Sequence, residues 1–183
     1  VMVLRDRDQT TGNVASRELA WLSFESRSAQ SIKVLNGAQT TSEVQEPVGI
    51  RVSPDGRFIA FSAQPQPGSS DQYIYVMDAS GKHETAVVAS AGSRSHPIWT
   101  PDGAHLLFAE HSGGRSALWS IPTRDGLAVG EPAVAQAGFA DSPVGIAASG
   151  TFYYTRRVGG GNYSFIAQRT PAPGDRALTF SGH

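Results

Sequence analysis

Three glycines set a ruler along this chain. Gly56, Gly103 and Gly150 stand forty-seven residues apart, and a phrase travels with them. Ser53-Pro54-Asp55-Gly56 leads into Arg57-Phe58-Ile59-Ala60-Phe61, and Thr100-Pro101-Asp102-Gly103 into Ala104-His105-Leu106-Leu107-Phe108. At the third station Ser149-Gly150 leads into Thr151-Phe152-Tyr153-Tyr154-Thr155, without the proline and aspartate. A fixed period of this size marks a repeat architecture, in which each unit is one supersecondary element that buries its faces against its neighbours.

Each unit reads as strands and turns. Gly49 to Val52 is a short strand, and Ser53 to Gly56 is the turn that ends it. There proline presets φ, aspartate favours the bend and glycine accepts positive φ. In the strand from Arg57 to Ser62, apolar residues fall on both faces, as expected of a strand buried between two neighbours. A Pro/Gly/Ser-rich loop, Gln64 to Asp71, delivers a third strand, Gln72 to Met77, rich in aromatic and β-branched residues. A turn at Asp78 to Lys82 leads to a fourth strand, Thr85 to Val88.

The second unit repeats this order with His96 to Trp99, His105 to Ala109, Ala117 to Ile121 and Pro132 to Gln136. The third has Pro143 to Ile146, Phe152 to Tyr154, Tyr163 to Ala167 and a closing strand near Ala177 to Phe180. Upstream, Glu18 to Phe24, Ser31 to Leu35 and Val1 to Leu4 read as strands of a degenerate unit without the turn phrase.

Four strands in about fifty residues make one blade of a β-propeller, a fold of four to eight such blades. The expectation is a single all-β propeller domain over 1–183, in units of about 1–45, 46–92, 93–139 and 140–183. The apolar strand at the start, and an ending where another blade would begin, favour part of a larger ring over a closed ring of four.

The composition suits this. With 183 residues, 39% hydrophobic and 17% charged, the chain can hold one domain with a real core. A formal net charge of -1 offers no field for a polyanion, which disfavours nucleic acid as a partner. No apolar run reaches the length of a membrane helix, so membrane insertion is not expected. The absence of cysteine excludes disulfides, a thiol nucleophile and thiolate metal sites.

The turn phrase, the apolar strand ending in phenylalanine, and then Ile74-Tyr75-Val76 or Leu118-Trp119-Ser120-Ile121 resemble the TolB-type propeller repeat, also known as the WD40-like PD40 repeat. The resemblance is strong over Ile50 to Val88 and Pro97 to Gln136, and weaker elsewhere. It implies a bacterial, periplasmic or otherwise extracytoplasmic protein. Such a protein acts as a non-catalytic scaffold that recognises protein or peptide, or as a sensor module. The rival it also implies is the substrate-gating propeller of a prolyl-oligopeptidase-type serine peptidase whose catalytic domain is not in this chain. The Asp and Gly of the motif form turns in that family and carry no catalytic role.

The residues themselves point away from catalysis. No G-x-S-x-G nucleophile elbow is present. Ser93, Ser95 and His96 are close in sequence, but neighbours in a strand rarely face each other, and a polar loop leading into a strand is the simpler reading. Five histidines (His83, His96, His105, His111 and His183) show no metal-ligand spacing. His105 and His111 share a face but lie about 20 Å apart on an extended strand. Asp55, Asp78 and Asp102 are explained by their turns. The glycine loops at Gly113-Gly114 and Gly159 to Gly161 precede no helix and read as hairpins, not phosphate cradles. No cofactor and no metal is expected.

The binding expectation follows from ring geometry. Residues just before each innermost strand face the mouth of the central channel, and at comparable positions stand Glu46, Arg94, His96, Asp141 and Ser142. Such a mouth suits a charged peptide terminus or small polar ligand. A rival enzyme reading, with chemistry in the channel, would need converging carboxylates or a His/Asp cluster there. An incomplete ring would expose strand edges, which predicts a homodimer or a companion chain.

Overall fold

In the computed structural model, which describes residues 2–6, 17–35, 49–66, 69–158 and 162–169, four antiparallel sheets follow one another along the chain. The first is β1 (Met2–Asp6), β2 (Arg17–Ser23) and β3 (Ser28–Leu35). The second runs in strand order through β4 (Arg51–Val52), β5 (Phe58–Ala63), β6 (Tyr73–Asp78) and β7 (Thr85–Val88). The third holds β8 (Ser93–Trp99), β9 (His105–Ser112) and β10 (Arg115–Arg124), with β11 (Leu127–Ala128) and β12 (Ala133–Ala137) both paired to β10. The fourth is β13 (Ser142–Ile146), β14 (Thr151–Val158) and β15 (Asn162–Arg169). No helix occurs among the described residues. The architecture is all-β and that of a β-propeller. The expected strand near Ala177 to Phe180 and the loop at Gly159 to Gly161 lie outside the described residues.

The sheets pack face against face, and strand alternation decides which core each residue joins. In β5, Ile59 and Phe61 point to the first sheet, where together with Met77 of the neighbouring β6 they meet Leu19. Ala60 and the half-buried Phe58 point to the third sheet, where they meet Trp99, Leu106, Phe108 and Ile121. The next core lies between the third and fourth sheets, built from Ile98, Leu118, Phe139, Phe152 and Tyr154. A fully buried side chain of this size contributes about 1.5–3 kcal/mol, so three successive cores hold the stack. Trp99 belongs to the core and Trp119, also inside a strand, packs against it. Tyr75 packs against the core around Leu19, stacked 5.5 Å from Phe61.

The repeat phrase is a single backbone device used three times. Gly56 N–H donates to Ser53 O at 2.9 Å, Gly103 N–H to Thr100 O at 2.8 Å, and Gly150 N–H to Ala147 O at 2.8 Å. All three glycines have φ between 68° and 81°. The third turn keeps this geometry without proline or aspartate, so glycine at the left-handed position is the feature the turn requires.

The hairpin read at Gly113-Gly114 is a two-residue turn, with β9 and β10 continuing to either side. β10 also runs on to Arg124 and turns back through Asp125-Gly126 into β11. Both turns have positive φ at both central residues, the geometry whose twist matches antiparallel strands.

Candidate functional site

The innermost strands β4, β8 and β13 enter from loops at one end of the sheets and leave through the glycine turns at the other. The loop before β8 is tied down by backbone and side chain together. Gln72 N–H donates to Gly92 O at 3.0 Å, and Arg94 N–H returns to Gln72 O at 3.2 Å. Asp71 Oδ1 accepts the Gly92 N–H at 2.9 Å.

Arg94 is not ahead of the inner strand but inside it, facing Glu110 across the β8–β9 ladder. Its Nε lies 3.0 Å from Glu110 Oε2, and its side chain is only 7% exposed. The remaining guanidinium nitrogens donate to Ser90 O and to Ala91 O, the latter at 3.2 Å. Arg94 therefore clamps the loop as well as pairing a carboxylate.

Asp141 stands one period after Arg94 and precedes β13. It accepts from Arg156 Nε at 3.0 Å. Residues one period apart, Arg94 and Asp141, thus each form an ion pair with the second strand of their sheet, with the signs exchanged. Asp141 holds the Arg156 guanidinium above its ordinary pKa, chiefly through that hydrogen bond. Ser142 opens β13 opposite Thr155.

His96 sits on a β-bulge between Ser95 and Ile98 and has φ of 55°. Its equivalent one period earlier is Gly49, with φ of 82°. One period later is Pro143, at the bulge of β13. The bulge lets β8 start at Ser93, three residues before the expected start, and so takes Arg94 and His96 into the strand. It also turns the His96 ring onto its neighbour, Nδ1 to Ser95 Oγ at 2.9 Å, against the expectation that adjacent residues would face apart. Burial lowers the His96 pKa, and the positive fields of Arg51 and His111 lower it further.

Ser95 is buried, and among the described residues no carboxylate orients the His96 imidazole. The pair therefore lacks the third group a nucleophile–base arrangement uses. His111 bonds Ser116 Oγ at 2.9 Å, at the opposite end of β9 from His105. No group of three metal-ligating side chains occurs among the described residues. Glu46 and His183 lie outside the described residues.

Arg51 is a functional candidate that sequence reasoning missed. Its Nε and Nη2 donate to Val144 O at 3.2 and 2.9 Å, joining β4 to the inner strand two sheets away. Burial lowers its pKa, and among the described residues no carboxylate pairs with it. The partners Glu110 and Arg156 were also missed. Laying the units in register at the forty-seven-residue period carries Glu110 onto Arg157, one residue past the observed partner, because the β13–β14 ladder is one residue shorter across its turn.

No protein-family model matches the chain. A stretch of 47 residues is 47% identical to the Tol-Pal system protein TolB of Geobacter sulfurreducens, covering 26% of this chain and 10% of that protein. The matched length equals one repeat period. TolB from Acinetobacter baumannii is similar in structure over 84% of this chain and 35% of its own, with a TM-score of 0.61 at 19% identity. The putative TolB from Agrobacterium tumefaciens is similar over 85% of this chain and 51% of its own, with a TM-score of 0.52 at 15% identity. The chain thus spans about a tenth of the curated relative and a third to a half of these solved structures. Its fold is that of the TolB-like β-propellers.

Proposed function

We propose that this TolB-like propeller chain is a non-catalytic binding module that recognises a protein or peptide through the loops and channel mouth at the start of its inner strands. The observation that carries the reading is the 47%-identical repeat shared with a protein that is, by name, part of the Tol-Pal system. A component of a multi-protein system works by contact, and a propeller supplies a rigid ring of strand ends on which contacting loops are mounted.

We assign the rim, among the described residues, to Arg94, His96, Asp141 and Ser142. Arg94 holds its loop through the Ser90 and Ala91 carbonyls and β9 through Glu110, while Asp141 pairs with Arg156 of β14. His96 and Ser142 offer ring nitrogen and hydroxyl groups, and the Arg51 guanidinium lies further along the inner strands. A peptide carboxylate or acidic side chain suits this end, because Arg51 and His96 lack a carboxylate partner among the described residues. An extracytoplasmic location follows from the same resemblance. A propeller that gates a peptidase would share this fold; a nucleophile-elbow domain encoded downstream in the same gene would distinguish it.

A photo-crosslinking amino acid placed at Ser142, and separately at the exposed Val134 of β12, which belongs to neither end, tests the reading in the native host. Ser142 is expected to capture a protein, and Asp141→Asn to reduce that capture. Equal capture from both positions, or none from Ser142, contradicts the rim as the binding site.

A further inference from the structure

The opposite end of the inner strands carries a groove that the rim does not use. It has a volume of about 550 Å³ and runs between the two complete copies of the repeat phrase, with the Asp125-Gly126 turn as its third wall. Its apolar lining is Pro54, Phe58, Trp99 and Pro101. Its charged lining is Asp55, Asp102, Asp125 and Arg124. The comparable turn in the fourth sheet has lost both proline and aspartate, so the pair of phrases makes this cleft particular to the second and third sheets.

The charges are unevenly answered. Arg57 Nη1 lies 3.2 Å from Asp125 Oδ1 and 3.8 Å from Asp55 Oδ2, while its guanidinium rests 5.0 Å from the centre of the Phe58 ring. Asp102 has only neutral donors, the Thr100 hydroxyl at 2.6 Å and the Ala104 N–H at 3.0 Å. Among the described residues no cation forms an ion pair with it, and the charge that acts on it from the chain is the field of His105. Three lining residues, Phe58, Asp55 and Asp125, thus already meet one exposed guanidinium, that of Arg57, while Asp102 has no such ion-paired partner. Both prolines supply flat apolar walls with no side-chain entropy to lose.

We propose that this groove docks a basic segment of a partner protein, an arginine or lysine whose charge meets Asp102 while its stem and an adjacent apolar residue lie along Pro54, Phe58 and Pro101. The site is separate from the rim: the seven residues of β8 put about 20 Å between the two ends. It goes beyond the binding reading given above and does not depend on it.

The test uses the whole chain and two blocked tetrapeptides, acetyl-Leu-Arg-Pro-Leu-amide and its glutamate counterpart, followed by NMR. The arginine peptide is expected to shift the amide signals of Gly103, Ala104 and Gly126 and the indole N–H of Trp99, more at low salt than at high. Asp102→Asn keeps the acceptor for Thr100 and Ala104 and is expected to weaken binding about two- to fivefold. Arg124→Gln, which removes a like charge, is expected to strengthen it. Equal binding of both peptides overturns the proposal, as does no shift at millimolar peptide or shifts confined to residues 90–96 and 141–142. An unchanged affinity in a folded Asp102→Asn also overturns it. Loss of partner capture at Ser142 would concern the rim alone.

Discussion

Gly49 and His96 hold the same place in consecutive repeats, and a Cβ on Gly49 would stand 2.6 Å from the Cα of His96. Both residues have positive φ, so the backbone kinks alike in each inner strand and the two kinks nest. Gly49→Ala must therefore pay for a left-handed conformation, about 1–2 kcal/mol, and also force two inner strands apart. Gly56→Ala faces the same conformational penalty with nothing within 4 Å of the new methyl. Thermal or urea melts of the two variants are expected to show Gly49→Ala less stable by at least about a further 1 kcal/mol.

The Arg94–Glu110 pair is expected to behave as one unit. Glu110→Gln strands a buried guanidinium and should cost about 3 kcal/mol or more. Arg94→Met should cost a similar amount, because it also releases the Ser90 and Ala91 carbonyls. The double variant should cost clearly less than the sum, which a double-mutant cycle by urea unfolding reads directly. The sign-exchanged pair is less enclosed, with the Arg156 side chain 43% exposed, so Asp141→Asn should cost only about 1 kcal/mol.

Mild acid should weaken the fold through His96. Its folded pKa lies below its unfolded one, so the unfolded chain binds the proton more readily. Stability is then full above the ordinary histidine value of about 6.5 and declines as pH falls below it. His96→Asn removes this dependence and tolerates the positive φ. Melting temperatures between pH 7 and 5 should fall for the native chain and flatten for the variant.

A second loss belongs to stronger acid. The carboxyls of Asp55, Asp78 and Asp102 are held below the ordinary carboxylate value, first by the hydroxyls of Ser53, Ser80 and Thr100 respectively. Depressed folded pKa values give stability that is complete above the unfolded value of about 3.8 and lost as pH falls through the folded values. Asp55→Asn with Asp102→Asn should reduce the slope of stability against pH below 4, measured by urea unfolding.

Much of this architecture was legible because repeats force agreement between local and global signals. The glycine at each turn, the apolar residues on both faces of β5 and the aromatic third strand each demand the same sandwiched blade. The bulge was hidden, since Gly49, His96 and Pro143 share no side-chain chemistry although they occupy one backbone position. Arg94 consequently read as a residue ahead of the strand. The β11 hairpin was not legible although Asp125-Gly126 is a strong turn dipeptide, because Leu127–Ala128 is two exposed residues with no alternation to mark a strand. Nothing local in the sequence shows that Arg51 reaches a carbonyl 93 residues away.

The central claim is that a partner protein binds at the start of the inner strands. Hydrogen exchange of the chain, with and without the protein captured from Ser142, tests it most directly. The account predicts slowed exchange at the amides of residues 90–96, 141 and 142 in the complex. Unchanged exchange there, with protection confined elsewhere, would contradict it.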